Sequence, residues 1–177
     1  ILDELRRGGI AVVYRAIQIR MQRQVALKVF DCGEPSSSFS AEGFLREARL
    51  TARINHPNVV TVHDVGACDR YLYCAMELVA GGDATDLARE HGGQLPVQRA
   101  LEVVWDAARG LEALHAENLI HRDIKPENIL IGRDGVGKLA DFGLATMAEQ
   151  RVRRSNAGII IGTPYYIPPE ALRGRDA

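Results

Sequence analysis

The chain has 177 residues, of which 46% are hydrophobic and 25% charged, with a net charge of −1. This composition is typical of one soluble unit or of two small lobes that share a cleft, and the balanced charge gives no reason to expect nucleic acid or an acidic membrane as a partner. No apolar run reaches the roughly 18 residues that would cross a bilayer, and three cysteines without a C-x-x-C pair favour a cytoplasmic location, although an anchor elsewhere stays open.

The first part of the chain alternates short apolar runs with turn residues, which is typical of β-strands. Residues 12–16 and 25–30 are predicted to form an antiparallel hairpin, and residues 59–65 and 71–79 two further strands. Between these pairs, the spacing of apolar residues predicts one helix over residues 41–54, which His-Pro-Asn ends.

The pattern becomes helical after a Gly-Gly-Asp turn. The clearest predicted helix covers residues 96–115, begins with proline, and carries an apolar stripe with steps of three and four. We also expect Trp105, within this helix, to be a core residue. Residues 129–131 and 136–140 are predicted to form a small hairpin. The outline is a strand-rich unit followed by a helix-rich unit, joined near residues 77–81. The stripe consists of Val97, Leu101, Val104, Ala108, Leu111 and His115.

Four polar residues in the second half of the chain are candidates for a functional site. Asp123 lies in a loop between apolar segments, where its carboxylate can accept the proton of a substrate hydroxyl. Lys125 can place a positive charge on the transferred phosphate. Asn128 offers a hard amide oxygen that suits Mg²⁺, and Asp141, at the end of a predicted strand, offers a second hard oxygen ligand.

The segment HRDIKPEN at 121–128, followed by DFG at 141–143, resembles the protein kinase family, and the style is that of its bacterial, Hanks-type members. Lys125 is the signal for serine/threonine specificity. The resemblance implies the roles of Asp123, Lys125, Asn128 and Asp141 in phosphoryl transfer. It also implies ATP and Mg²⁺ as cofactors and a protein as substrate. It also implies an α+β, two-lobed fold: a β-rich N-lobe with one main helix over residues 1–79, and a partial helical C-lobe over residues 80–177.

The same resemblance implies a nucleotide site in the first half of the chain. Lys28, in VALK at 25–28, is expected to bind the α- and β-phosphates with Glu47 as its ion-pair partner, although either charge alone would suit a solvated surface. Gly8 and Gly9 are expected to cover the phosphates, and alone they would suggest a bare turn. The implied adenine site and the start of the hinge are formed by Val13, Ala26, Met76 and Glu77.

A regulatory segment is expected between DFG and the later Pro-Pro-Glu. Ser155 is its best candidate for phosphorylation, and a phosphate there could pair with Arg122. The alternative is that the arginines at 151–154 are only a solvated basic run. In the family pattern, residues 121–128 form the catalytic loop. The pattern implies that the hydroxyl of Thr163 holds this loop, and that the ring of His121 packs beneath the loop.

The chain departs from the family pattern in three places. Arg6 and Ala11 replace two glycines of the phosphate loop, and Pro168 stands where alanine is usual. Family members also continue beyond the Pro-Glu at 169–170 into further helices, so we expect a truncated catalytic domain with part of the helix at 96–115 uncovered. These departures leave open a pseudokinase or ATP-binding scaffold, or a fragment that is inactive alone. A homodimer for autophosphorylation is a further expectation.

Overall fold

A five-stranded antiparallel sheet makes up most of the first half of the protein. The computed structural model describes residues 1–8, 11–31, 45, 48–141 and 166. The strand order in the sheet is β1-β2-β3-β5-β4, which confirms the predicted β-rich N-lobe. The strands are β1 (Asp3–Arg7), β2 (Ala11–Gln18), β3 (Arg23–Asp31), β4 (Val62–Cys68) and β5 (Tyr71–Glu77).

The register of the sheet places the proposed nucleotide-binding side chains on one face. Val13 is paired with Lys28, and Lys28 with Cys74, so these side chains lie side by side. Ala26 and Met76, paired with each other two residues further along the same strands, share that face because side chains alternate along a strand. The core of this N-lobe consists of Ala11, Ala26, Phe30, Ala48, Val60, Val62, Leu72, Cys74, Met76 and Ala140.

Helices and a two-stranded hairpin form the second unit, which we call the C-lobe. Two α-helices and two short strands are its described elements, and the hairpin of β6 and β7 confirms the prediction for residues 129–140. None of the helices in the described ranges has the length and hydrophobicity that crossing a membrane requires. The elements are α1 (Ala84–Glu90), α2 (Val97–Ala116), a 3-10 helix (Pro126–Asn128), β6 (Ile129–Ile131) and β7 (Gly137–Leu139).

Two predicted elements differ from the structure. The strand expected over residues 59–65 begins only at Val62, because Val59 instead bridges Leu139 of β7 and Val60 N–H donates to the Leu139 carbonyl at 2.9 Å. That segment therefore connects the C-lobe hairpin to the sheet. Of the helix predicted over residues 41–54, Leu45 and residues 48–51 are helical, and the remaining positions before 48 lie outside the described residues.

Helix α1 begins at a capping box. The Asp83 carboxylate accepts hydrogen bonds from the backbone N–H groups of Thr85 and Asp86, at 2.9 and 3.0 Å. The Asp86 carboxylate in turn accepts one from Asp83 N–H at 3.2 Å. These bonds satisfy N–H groups that would otherwise lack partners at the helix start, and they fix Asp83 at the edge of the cleft.

The buried face of α2 is not the one that its apolar stripe predicted. Gly110 lies so close to the segment before β4 that a Cβ atom there would stand 2.5 Å from the Asn58 carbonyl. This close approach turns the neighbouring stripe inward, and its members are Val103, Ala107, Gly110 and Leu114. In the predicted stripe, Val97, Leu101 and Val104 are 62–78% exposed. Trp105 is 67% exposed, so its prediction as a core residue was wrong.

The link that follows β5 runs directly against β6. Gly81 N–H donates to the Ile131 carbonyl at 3.0 Å, and Ile131 N–H donates to the Gly82 carbonyl at 2.9 Å. A Cβ atom on Gly81 would lie 2.4 Å from the Ile131 carbonyl oxygen. The close contact between the link and the hairpin therefore requires glycine at this position.

We expect Gly81→Ala to lower the free energy of unfolding by about 2 kcal/mol, because the new methyl group must displace backbone atoms. Urea unfolding of the full-length protein measures this loss. Gly8→Ala is the matched control, since a Cβ there meets only the Ala11 carbonyl at an ordinary 3.5 Å. Equal stabilities of the two variants would show that the link has room for a side chain.

Candidate active site

A buried lysine and a carboxylate at the end of β7 meet in the cleft beneath the sheet. Lys28 is 6% exposed, and its ammonium nitrogen lies 2.7 Å from Oδ1 of Asp141. The ammonium also lies 5.4 Å from the centre of the Phe30 ring, within the range of a cation–π contact. The desolvated positive charge of Lys28 on β3 therefore lies beside Asp141, where the chain continues after the hairpin of β6 and β7.

The electrostatics of Asp141 keep its carboxylate ionised. Burial raises the pKa of this carboxyl, but the Lys28 ammonium, acting through charge and a hydrogen bond, and smaller effects of His121 and Arg6 together lower it by more, so the net shift is downward. Asp141 also has a φ of 64°, a conformation that side chains other than glycine adopt at a cost of roughly 1–2 kcal/mol. Strained residues of this kind concentrate at functional sites.

The loop before β6 holds three of the predicted catalytic residues together. The amide nitrogen of Asn128 donates to both the backbone carbonyl and Oδ2 of Asp123, each at 2.8 Å. The Lys125 ammonium lies 2.7 Å from the same Oδ2. Because these bonds use the amide nitrogen of Asn128, its oxygen is the atom left to bind a cation.

His121 supports the loop from below. The ring is 1% exposed, accepts a hydrogen bond at Nδ1 from Asp123 N–H at 3.3 Å, and donates from Nε2 to the Ala140 carbonyl at 3.0 Å. Ala140 N–H also donates to the Asn128 carbonyl at 2.9 Å. The residue before Asp141 is therefore bonded at both ends to the catalytic loop, which joins the two halves of the site.

The imidazole of His121 is held neutral. Burial lowers its pKa below the ordinary 6.5, although the Ala140 carbonyl and nearby carboxylates oppose the shift. The unfolded chain therefore takes up a proton first as the pH falls through about 6.5, and stability is lost from that pH downwards. We expect His121→Gln to lose less stability than the wild type between about pH 7.5 and 5.5, because glutamine does not titrate.

Urea unfolding at the two pH values measures this difference. The exposed His91, at the end of α1, offers the matched control His91→Gln, which makes the same substitution outside the site. A His121→Gln variant that matched the wild type at both pH values would contradict a buried neutral imidazole.

The predicted adenine-site side chains lie together on the face of the sheet that also carries Lys28. Ala26 and Met76 are 7% and 8% exposed, and Val13 packs against the same cluster. Leu130 of β6 packs there from the C-lobe, so this apolar surface has walls from both lobes. The motifs did not indicate Leu130, although its position within an apolar run close to Asn128 was a usable signal.

Glu77 uses its side chain to tie the lobes together. Its carboxylate lies 2.8 Å from the Lys138 ammonium of β7 and accepts a weak bond from Thr61 N–H at 3.4 Å. Its own N–H donates to the Thr61 carbonyl at 2.9 Å. Any part of Glu77 in nucleotide binding therefore falls to its backbone carbonyl rather than to its side chain.

Arg6 crosses the cleft from β1. Its guanidinium donates from Nη2 to Oδ2 of Asp83 and from Nη1 to the Glu127 carbonyl at 3.2 Å. The arginine that replaces a glycine of the phosphate loop thus reaches the start of α1 and the catalytic loop. In the sequence, Arg6 was noted only as a departure from the family pattern. The residues around Asp83 can indicate a capping box, but no sequence signal indicated that Asp83 contacts Arg6.

Several predicted site residues cannot be placed. Glu47, Gly9, Ser155 and Thr163 lie outside the described residues, and so does the proposed pair between Lys28 and Glu47. Gly8 is described, and its N–H donates to the Ala11 carbonyl at 2.9 Å, which closes the turn between β1 and β2. Arg122 is exposed beside Asp123 with a φ of 66°.

The arrangement of charges fits a magnesium–nucleotide complex. The buried ammonium of Lys28 can bind phosphate. The partly exposed carboxylate of Asp141 and the amide oxygen of Asn128 can bind Mg²⁺. Within the part of the chain that the structure describes, no three His, Cys, Asp or Glu side chains form a metal-binding cluster.

A family model described as "protein kinase domain" matches residues 1–177. The chain belongs to the protein kinase family. The order of Lys28, Asp123, Asn128 and Asp141 along the sequence, and their meeting at one cleft, agree with that membership.

The chain is similar to curated bacterial serine/threonine-protein kinases. The chain is 41% identical to serine/threonine-protein kinase PknL of Mycobacterium bovis over 170 residues, and 38% identical to serine/threonine-protein kinase PknA of Mycobacterium tuberculosis over 175 residues. Each match covers 96% of this chain but only 42% and 40% of the relative. Serine/threonine-protein kinase pkn2 of Myxococcus xanthus is 37% identical. The kinase chain thus spans about two fifths of the mycobacterial relatives.

Proposed function

We propose that this protein transfers the γ-phosphate of ATP, in the presence of Mg²⁺, to serine and threonine hydroxyls of protein substrates. The observation that carries the proposal is the junction at Ala140, whose backbone bonds to His121 and Asn128 while the next residue, Asp141, pairs with Lys28. A phosphate-binding cation and a loop carboxylate are thereby held at one cleft. The serine/threonine preference follows from Lys125 and from the names of the relatives.

Asp123 is the group that we assign to the substrate hydroxyl. Its Oδ2 accepts a hydrogen bond from the Asn128 amide and lies 2.7 Å from the Lys125 ammonium, so the position of the carboxylate is fixed. A carboxylate held in this way orients the attacking hydroxyl and accepts its proton as the bond to phosphorus forms. Lys125, beside it, is placed to neutralise charge on the transferred phosphate.

Lys28 and Asp141 have complementary tasks at the other end of the triphosphate. The ammonium would bind the α- and β-phosphate oxygens, and magnesium held by Asp141 and Asn128 would neutralise charge on the phosphates. The apolar surface of Val13, Ala26 and Met76 would receive the adenine ring. The proposed hinge starts at Glu77 and joins the units over residues 1–79 and 80–177. Glycine at position 81 allows the link after β5 to lie close to Ile131 of β6.

Transfer of labelled γ-phosphate tests the proposal. The full-length protein is incubated with Mg²⁺ and ATP, and with peptides that are identical except for serine, threonine or tyrosine at the acceptor position. We expect label on serine and threonine. Tight binding of magnesium–ATP with no transfer to any acceptor would instead support a nucleotide-binding scaffold, the alternative that Arg6 and Ala11 in the phosphate loop favour.

Regulation by phosphorylation is a further part of the proposal. A phosphate on Ser155, added by a second copy of the protein, would pair with the exposed Arg122 next to Asp123 and so connect the regulatory segment to the catalytic loop. Mass spectrometry after incubation with ATP tests this. Phosphate at Ser155 in the wild type, and none in an Asp123→Asn variant, is the expected result.

A further inference from the structure

Arg6 is a charged residue of the sheet whose side chain bonds to the opposite lobe. Its side chain is 50% exposed, yet it contacts the Asp83 carboxylate, which is 2% exposed, and the carbonyl of Glu127. Arg7, the next residue, has its guanidinium bonded to Glu4 of the same strand. Two adjacent arginines thus have different partners, and only the first of them spans the cleft.

The position of Arg6 within the cleft follows from the register of the sheet. Arg6 is paired with Val13, and Val13 with Lys28, so the three side chains lie in one row on the same face. At its far end the guanidinium reaches the carbonyl of Glu127, the residue before Asn128. Arg6 therefore crosses between the proposed adenine surface and the proposed phosphate site, where the sugar of a nucleotide would lie.

Arg6 occupies two hydrogen-bond acceptors on the C-lobe side of the cleft. One carboxylate oxygen of Asp83 is already bonded to the start of α1, and the other is covered by Arg6. The carbonyl of Glu127 is the remaining acceptor that the guanidinium contacts. Sugar hydroxyls entering here would compete with the guanidinium for these two oxygens.

We propose that Arg6 is a latch that holds the two lobes together across the nucleotide cleft and must release Asp83 and Glu127 before ATP can bind. The inference rests on the proposed function, since it assumes that ATP occupies this cleft. A closed, latched state lowers the apparent affinity in proportion to the fraction of molecules that are open. The latch belongs to this chain because the family pattern has glycine, which lacks a side chain, at this position.

The test compares Arg6→Gln with Arg7→Gln, which removes the same charge from the same strand without touching the other lobe. Binding of a fluorescent ATP analogue with Mg²⁺ to the full-length protein is followed by stopped flow. We expect Arg6→Gln to raise the association rate and lower the Kd by roughly 3–10-fold, as removal of a competing closed state requires. Arg7→Gln is expected to stay within about twofold of the wild type.

Unchanged or weaker binding in Arg6→Gln would overturn the latch, and weaker binding would show that Arg6 is instead a ligand of the nucleotide. A second measurement needs no nucleotide. Asp83→Asn keeps a good helix cap but removes the charge that faces Arg6. If the latch exists, the shifts in the urea midpoint for Arg6→Gln and Asp83→Asn are not additive in the double variant; additive shifts would overturn it.

The two measurements also separate this inference from the proposed function. A protein in which Arg6 and Asp83 are coupled, but which binds no ATP analogue in any variant, would refute the proposed kinase activity and the competition with nucleotide together. Binding of the analogue that does not respond to Arg6→Gln would refute the latch alone and leave the proposed function standing.

Discussion

Replacing Asp123 with asparagine is expected to lower the rate of phosphoryl transfer by about 10²–10⁴-fold, because asparagine can orient a hydroxyl but cannot take up its proton. The affinity for ATP should change little, since Asp123 is assigned to the substrate hydroxyl rather than to the nucleotide. In the wild type, the Asn128 amide donates a hydrogen bond to Oδ2 of Asp123. The side-chain oxygen of asparagine at position 123 can accept the same bond, so the loop should keep its shape. Labelled phosphate transfer and binding of an ATP analogue, measured on the same preparations, test both parts.

The matched control is Asp69→Asn, in the turn between β4 and β5. Asp69 has a φ of 52°, a conformation that asparagine tolerates well, and it lies outside the site. This variant should retain wild-type activity. A kinase that kept most of its activity with asparagine at position 123 would require another group to handle the proton, and the assignment of Asp123 would be wrong.

Replacing Lys28 with methionine is expected to reduce kcat/KM for ATP by about 10²–10³-fold, the usual effect of removing one preorganised charge from a reacting centre. Methionine has a similar length and suits the buried position, but it supplies no charge to the phosphates. The change also leaves the Asp141 carboxylate without the ammonium that now lies 2.7 Å from it. Steady-state kinetics with varied ATP, and unfolding by urea, measure the two consequences.

Lys138→Met is the control for Lys28→Met, because it also removes a lysine–carboxylate ion pair but outside the proposed phosphate site. Lys138 is also a partly buried lysine, and its ammonium lies 2.8 Å from Glu77 on the opposite side of the lobe boundary. We expect it to lower stability without the large loss in kcat/KM. If Lys28→Met and Lys138→Met affected kcat/KM equally, the effect at position 28 would come from the fold rather than from contact with phosphate.

Local patterns in the sequence were sufficient for much of the fold. Short apolar runs between turn residues predicted β2, β3 and β5, and the turn at 132–135 predicted the hairpin of β6 and β7. The catalytic loop could be recognised because Asp123, Lys125 and Asn128 lie within six positions of one another, and their contacts in the structure are correspondingly local. Short-range spacing determines short-range geometry.

Helix α2 shows where the local pattern failed. The sequence contains two apolar stripes of similar regularity, and periodicity alone cannot decide which of them packs inward. Gly110 decides it, because the absent side chain lets the helix lie against Asn58 and turns Leu114 into the core. Trp105 lies outside the stripe that packs inward and is therefore exposed, although its hydrophobicity predicted a core position.

The sequence by itself determined which residues could perform phosphoryl transfer and which segments carry them. The tertiary structure decided which partners those residues have: Lys28 with Asp141, Glu77 with Lys138, and Arg6 with Asp83. Each pair joins segments far apart in the chain, Arg6 and Asp83 being separated by 77 positions. No periodicity or motif encodes such pairs, because they depend on how the sheet and the C-lobe pack against one another across the cleft.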